Sequence, residues 1–258
     1  MPRYLIRRLL RQFFGKYGRK YIRRIKGPYL IFAILTLIGA GLVADWYIPP
    51  QHLLWRSLNV QAPIGLATKI QLRRLSFSAP ETCQASLALS GPLAFKAAAP
   101  KDGPDICGWR YAYEMAAGET MGLSPVTLRC PLAVGVNIWL SDIDQLAQEM
   151  FGQNIAQVHH AGSYNCRRQR GNSSSAWSEH AFANAWDVTG FTLTDGTVIS
   201  VLKDWDITYD KSRHDKAQFL HRARDRACRL FQVTLSPDYN AAHKDHFHFD
   251  MGPYSSCR

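Results

Sequence analysis

The sequence predicts an α+β fold, a small, mainly antiparallel sheet flanked by helices, preceded by one N-terminal transmembrane helix. Three observations carry this reading. An uncharged apolar run follows a strongly basic stretch near the N-terminus. Two long segments repeat apolar residues at helical spacing. Several short segments alternate apolar and polar residues, as half-buried strands do.

Residues 1–28 carry ten Lys/Arg and no acid. The formal charge is +11, with 31 bases and 20 acids in all, so the rest of the chain holds 21 bases against 20 acids. That body is nearly neutral, and a basic nucleic-acid stripe is not expected. Within the basic part, Leu5/Ile6, Leu9/Leu10 and Phe13/Phe14 recur between arginines. They suit an amphipathic helix on an anionic leaflet, or a basic tail.

Residues 29–48 follow as a run broken by Thr36, two glycines and Asp45. As a helix it would be about 30 Å long, the thickness of a bilayer core. Tyr29, Trp46 and Tyr47 stand at its ends, where an aromatic belt belongs. The preceding positive charge keeps the N-terminus cytoplasmic and sends the bulk of the chain across. An uncleaved anchor fits better than a signal peptide, whose basic region and apolar core are shorter.

All six cysteines (Cys83, Cys107, Cys130, Cys166, Cys228, Cys257) come after this run, and none forms a Cys-x-x-Cys pair. The pattern predicts disulfides in an oxidising compartment and leaves their pairing open.

Residues 49–80 begin Pro49-Pro50 and read as a tether with one short helix near Thr68–Leu75. Residues 81–258 form the domain proper. "APKDGPDICG" (99–108) reads as a loop. "CPLAVGVNIWLSDIDQLAQEMFG" reads as a helix with Pro131 in its first turn and Gly152 as its stop. "NIAQVHHAGSY" reads as a strand, and "NAWDVTGF" with "TLTDGTVIS" as two strands turning near Asp195-Gly196. "SRHDKAQFLHRARDRACRLF" reads as a helix capped by Ser212, with Asp215 three residues on. "FQVTL" and "DHFHFDM" complete the strands.

The chemistry concentrates in "SEHAFANAWDV" (178–188) and "HKDHFHFD" (243–250). Alternation along the second puts His246, His248 and Asp250 on one face, and Phe247 and Phe249 on the other. The phenylalanines enter the core, so the imidazoles face a cleft. His180 comes from a loop, and Asp187 lies on the next strand. Two imidazoles and a carboxylate suit a catalytic zinc, which keeps a further position for water.

The segment from Cys83 to Arg258 resembles the bacterial extensin-like C-terminal domain family. The matching pieces are "GSYNCRR", "SEHAFANAWDVTGF", "SPDYNAAHKDHFHFDM" and the terminal "CR". That family is similar to the lysostaphin/D-Ala-D-Ala/Sonic hedgehog zinc metallopeptidases, which include penicillin-insensitive murein endopeptidases. The resemblance implies zinc (Zn2+) on His180, Asp187 and His248. It assigns the water or transition state to His246, with His243 three residues before it. The dipeptidase branch places a catalytic carboxylate where Asp245 stands, so Asp245 is the rival general base. Strand alternation puts Asp245 on the opposite face from His246. Arg167, with Arg168 beside it, is the candidate for binding a substrate carboxylate or carbonyl.

Two departures from the superfamily pattern are Ala183, where glycine is common, and Trp186, expected to reshape the cleft wall. A disulfide at Cys166 would fix Arg167. The resemblance implies a membrane-anchored periplasmic peptidase that cleaves peptidoglycan next to a D-amino acid. The anchor would sit in the bacterial inner membrane. Two other readings stay open: a non-catalytic, zinc-stabilised wall-binding or scaffolding module, and a disulfide-rich structural domain without metal.

Overall fold

The structure, a computed structural model, describes residues 16–169, 174–206 and 210–258. The amphipathic reading of Leu5–Phe14 lies outside the described residues. The chain divides into an N-terminal unit, Met1–Pro49, and a folded unit, Pro50–Arg258. Helix α1, Lys16–Tyr47, belongs to the first. Its stretch Tyr29–Tyr47 is long and apolar enough to cross a membrane, and none of its most apolar window is buried by protein. Length and composition suit a membrane anchor and a signal sequence alike.

The folded unit is mixed α+β. It opens with α2 (Thr68–Arg74) and α3 (Pro80–Ala88). The sequence reads residues 49–80 as a tether, but most of this segment packs into the fold. Leu53, Ile64, Leu72 and Leu75 are buried, and Gln71 Nε2 donates to the Pro50 and Leu53 carbonyls at 2.9 and 2.8 Å. Those apolar side chains, spaced too irregularly to announce an element, are what draw the segment in.

A three-stranded antiparallel sheet follows, ordered β1 (Ala94–Ala98), β4 (Ala112–Ala116) and β6 (Val126–Arg129). Its strands are four or five residues long, and only β6, Val-Thr-Leu-Arg, alternates apolar and polar residues throughout. Between β1 and β4, the segment read as a loop contains a small hairpin, β2 (Lys101–Asp102) paired with β3 (Gly108–Trp109).

Helix α4 (Cys130–Phe151) has Pro131 in its first turn, where no amide donor is needed. It stops at Gly152, whose left-handed φ of 66° returns its amide to the Gln148 carbonyl. Trp139 centres the core on this helix. Its ring meets Trp186, Phe191 and Phe249, and its Nε1 donates to the Ala223 carbonyl at 2.9 Å. Ala223 lies on α6 (Lys211–Cys228), where Leu220 and Ala227 are also buried. Asp210, rather than Ser212, caps α6, accepting from the Arg213 amide at 3.0 Å.

The main sheet has the order β12 (Ser256–Cys257), β10 (Val233–Leu235), β11 (Phe247–Asp250), β8 (Ala185–Leu193), β7 (Ile155–Gly162) and β5 (Gly122–Leu123), with β9 (Val198–Ser200) paired to β8. A one-turn helix, α5 (Val201–Asp204), follows β9. The sheet is mainly antiparallel; β5–β7 and β10–β12 run parallel. Asp195 shapes the β8–β9 turn by accepting from the Thr197 amide at 2.8 Å, and Gly196 supplies the positive φ. Three disulfides settle the pairing: Cys83–Cys130, Cys107–Cys166 and Cys228–Cys257.

Candidate metal centre

The site forms because two strands place their side chains in step. In the β8–β11 ladder His248 faces Asp187, while Phe249 faces Trp186 and Phe247 faces Val188. Directly opposed residues share a face. The ladder therefore sends His248 and Asp187 to one side, and Phe247, Phe249, Trp186 and Val188 to the core. Trp186 is fully buried against Trp139, so it does not wall the cleft as the sequence suggested.

His180 arrives from a short 3-10 turn, Glu179–Phe182, just before β8. Ser178 caps the turn, and Ala183 closes it in the left-handed region at φ 51°. This conformation favours glycine, which explains the expectation of glycine there. On the other side, β7 carries register shifts at His159/His160 and His160/Gly162. Such bulges re-aim a strand end. Here Gly162 lies opposite Asp187, and the Ser163 carbonyl reaches His180 Nδ1 at 3.0 Å.

The polar atoms converge tightly. His180 Nε2 lies 3.2 Å from His248 Nδ1 and 3.3 Å from Asp187 Oδ2. His248 Nδ1 lies 3.0 Å from Asp187 Oδ1. One potential ligand atom from each of the three residues lies within 4.8 Å of the others.

The outward nitrogens define the tautomers. His180 Nδ1 meets a carbonyl, which only accepts, so that nitrogen carries hydrogen. His248 Nε2 meets Asp250 Oδ2 at 3.0 Å and carries hydrogen for the same reason. In their neutral forms both rings therefore aim a bare lone pair inward, toward each other and toward a carboxylate. Three acceptors in contact repel unless a cation sits among them. This donor set fits a metal ion with two imidazole ligands and one carboxylate.

With no cation among these groups, a proton takes its place: His248 is then an imidazolium whose Nδ1–H donates to Asp187. Burial would raise the Asp187 carboxyl pKa, but hydrogen bonds from His180 and His248 outweigh it and hold the carboxyl well below the usual range. Burial would lower the His248 pKa, but the Asp187 and Asp250 carboxylates push it up to about 9.

The remaining candidate residues ring this centre. His246 immediately precedes β11. Its Nε2 lies 3.8 Å from Asp187 Oδ1, and its Nδ1 lies 2.8 Å from Asp245 Oδ1. The alternation argument fails at Asp245 because β11 begins only at Phe247. In the turn before it, Asp245 reaches its own neighbour, and its side chain stays 51% exposed. His243 lies tilted against His246, with ring centroids 5.1 Å apart, and its Nδ1 lies 2.9 Å from Asn240 Oδ1. Burial, then the charges of His246 and His248, lower its pKa to about 4, so it is neutral at physiological pH.

A hollow of about 120 Å³ opens beside the cluster, lined by Gly162, Ser163, Tyr164, Asn165, Arg167, His180 and Asp187. Arg167 thus reaches the site. Arg168 does not line this hollow: it stacks on Trp177 at 4.4 Å and donates to the Ser175 carbonyl at 2.8 Å. His159 and His160, the histidines of β7, bond Thr192 and the Ser124 carbonyl instead of joining the cluster. Asp250, bonded to His248, is the neighbour that sequence reading left without a role, although its place on the His248 face was legible.

A family model described as "Extensin-like protein C-terminus" matches residues 81–258. The chain belongs to the extensin-like C-terminal family. The match begins one residue into α3 and runs to the final residue, so it takes in the whole candidate metal centre and all six cysteines. No curated protein and no solved structure gives a significant match. In this extensin-like chain Cys166, bonded to Cys107, immediately precedes Arg167 and ties its loop to the β2–β3 hairpin.

Proposed function

We propose that this extensin-like protein is a membrane-anchored, zinc-dependent peptidoglycan peptidase of the periplasm that hydrolyses an amide next to a D-amino acid. One observation carries the reading: two imidazole lone pairs and one carboxylate converge, while the outward nitrogen of each ring is committed to an acceptor. The similarity of "SEH…D" and "HFH" to zinc metallopeptidases supports the peptidase class. The apolar N-terminal helix and the three disulfides support an exported, anchored setting.

His180, Asp187 and His248 would hold the zinc. When bound, zinc lowers the pKa of water to roughly 7 and polarises a carbonyl. His246 acts beside it. Asp245 takes the hydrogen on Nδ1, which leaves the Nε2 lone pair facing the cluster, the geometry of a general base. Asp245 is thus the residue that orients the base rather than its rival. Arg167 offers its cation to a substrate carboxylate or carbonyl in the adjoining hollow. Neutral His243 shields the outer edge of His246.

The test uses the full chain in detergent. Metal analysis is expected to find about one zinc per chain, lost in His180→Ala and Asp187→Ala but kept in His246→Ala. Purified murein incubated with the wild type should yield new muropeptides. His246→Ala should slow their release about 10²–10⁴-fold, the usual contribution of a general base. Near-zero zinc in the wild type, or identical muropeptides with and without it across several cross-link types, overturns the proposal.

A further inference from the structure

A hollow of about 550 Å³ on the folded unit has no part in the chemistry above. Its walls are α2's exit, the start of α4 and the β2–β3 hairpin. Three features stand out. Phe77 and Tyr111 are 84% and 66% exposed on its rim, apolar area that folding leaves in water. Lys101, Arg110 and Arg129 are among its lining residues, against a single acid, Asp102. The hollow also shares a wall with the metal centre. Cys107 on its lining is bonded to Cys166; Trp109 packs edge-on against Tyr164 with centroids 5.2 Å apart; Lys101 Nζ lies 4.6 Å from the Tyr164 ring centroid. Tyr164 in turn lines the small hollow beside His180 and Asp187.

Ring faces interleaved with cationic hydrogen-bond donors match one chemistry well. A sugar presents apolar C–H faces to rings and hydroxyls to donors, and carboxylate substituents would answer the excess of cations. The volume suits a few sugar units. We infer that this groove is a saccharide subsite, which holds the glycan strand of the wall polymer while the attached peptide reaches the metal centre. The identity of the polymer rests on the peptidase reading; the presence of the groove does not. Binding there would spend contacts remote from the scissile bond on positioning the substrate.

The probe is soluble murein glycan strands freed of their peptides, whose lactyl groups carry carboxylates, titrated calorimetrically into the full chain in detergent. The wild type should bind. Phe77→Ala combined with Tyr111→Ala should weaken binding about tenfold, the scale of losing two partly covered ring faces. Leu66→Ala, an equally exposed apolar change outside the groove, should leave it unchanged. Arg129→Gln should weaken binding and flatten its salt dependence. Cleavage of a cross-linked peptide without sugar should be the same in the Phe77/Tyr111 double variant as in the wild type. The inference is overturned if the wild type binds no glycan, if the double variant binds as well as the wild type, or if the double variant loses adhesion to anionic phospholipid vesicles instead. Glycan binding without any muropeptide product sinks the peptidase reading alone. Products without glycan binding sink the groove alone.

Discussion

Asp250 shows how one carboxylate can govern a centre it does not enter. Its Oδ2 accepts from His248 Nε2, and its Oδ1 accepts from the Gly252 amide at 2.9 Å. The second bond fixes the carboxylate, and the first fixes the ring so that Nδ1 faces Asp187 and His180. Loss of such a partner commonly costs 10–100-fold in metal affinity. Asp250→Ala is therefore expected to weaken zinc binding by about that factor, measured by competition with a chromophoric chelator. Asp250→Asn keeps an acceptor for Nε2–H and should lose much less. Equal affinity in Asp250→Ala and the wild type would show that the ladder with Asp187 orients the ring unaided. At this scale the sequence was informative wherever strand alternation held. It separated His248 and Asp250 from the phenylalanines. It misplaced Asp245 because that residue stands in a turn, where period two has no meaning.

Among the elements, the β2–β3 hairpin and the loop 163–169 are joined by one covalent link. The two cysteines are 59 residues apart in sequence. In the chain-entropy picture, closing such a loop is worth about 4 kcal/mol. The double variant Cys107→Ser/Cys166→Ser should lower Tm by roughly 8–16 °C, at about 2–4 °C per kcal/mol for a unit of this size. Zinc content should survive, because His180, Asp187 and His248 are held by β8, β11 and the Ser178-capped turn. Peptide hydrolysis should show a raised KM with kcat less affected, since the loop that carries Arg167 keeps only its bonds to the Ser178 side while His180, Asp187 and His248 keep their geometry. An unchanged Tm, measured by circular dichroism, would mean that the hairpin packs without the link. The long elements were legible here: α4 from Pro131 to Gly152, and α6 from its apolar stripe. The three-stranded sheet and the hairpin were not. Their strands are only two to five residues long, too short for a periodic pattern to stand out.

On the scale of the whole molecule, the basic residues 1–28 and the apolar helix form one unit, and Pro50–Arg258 folds as another. A chain held by an uncleaved anchor should remain in the membrane pellet after alkaline extraction and migrate at its full 29.2 kDa. A version starting at Pro49, exported by a cleavable signal, should appear in the soluble periplasmic fraction. Recovery of the intact chain as a shorter soluble species would identify Tyr29–Tyr47 as a signal sequence instead. The segment 49–80 also has meaning only at this scale. Its Pro-rich start looks like a tether, yet Leu53, Ile64, Leu72 and Leu75 find a core that other parts of the chain supply.

The sequence by itself determined the charge asymmetry, the apolar run, the even set of cysteines that follows it, the main helices and the residue types of the centre. Each of these is local: it depends on periodicity, composition or a short motif. Tertiary structure decided the disulfide pairing and the register that sets His248 against Asp187. It also decided the bulges that bring the Ser163 carbonyl to His180, and the turn that gives Asp245 to His246. The Asp245–His246 contact depends on where β11 begins; the others are distances between residues separated in the chain, and only packing can fix them.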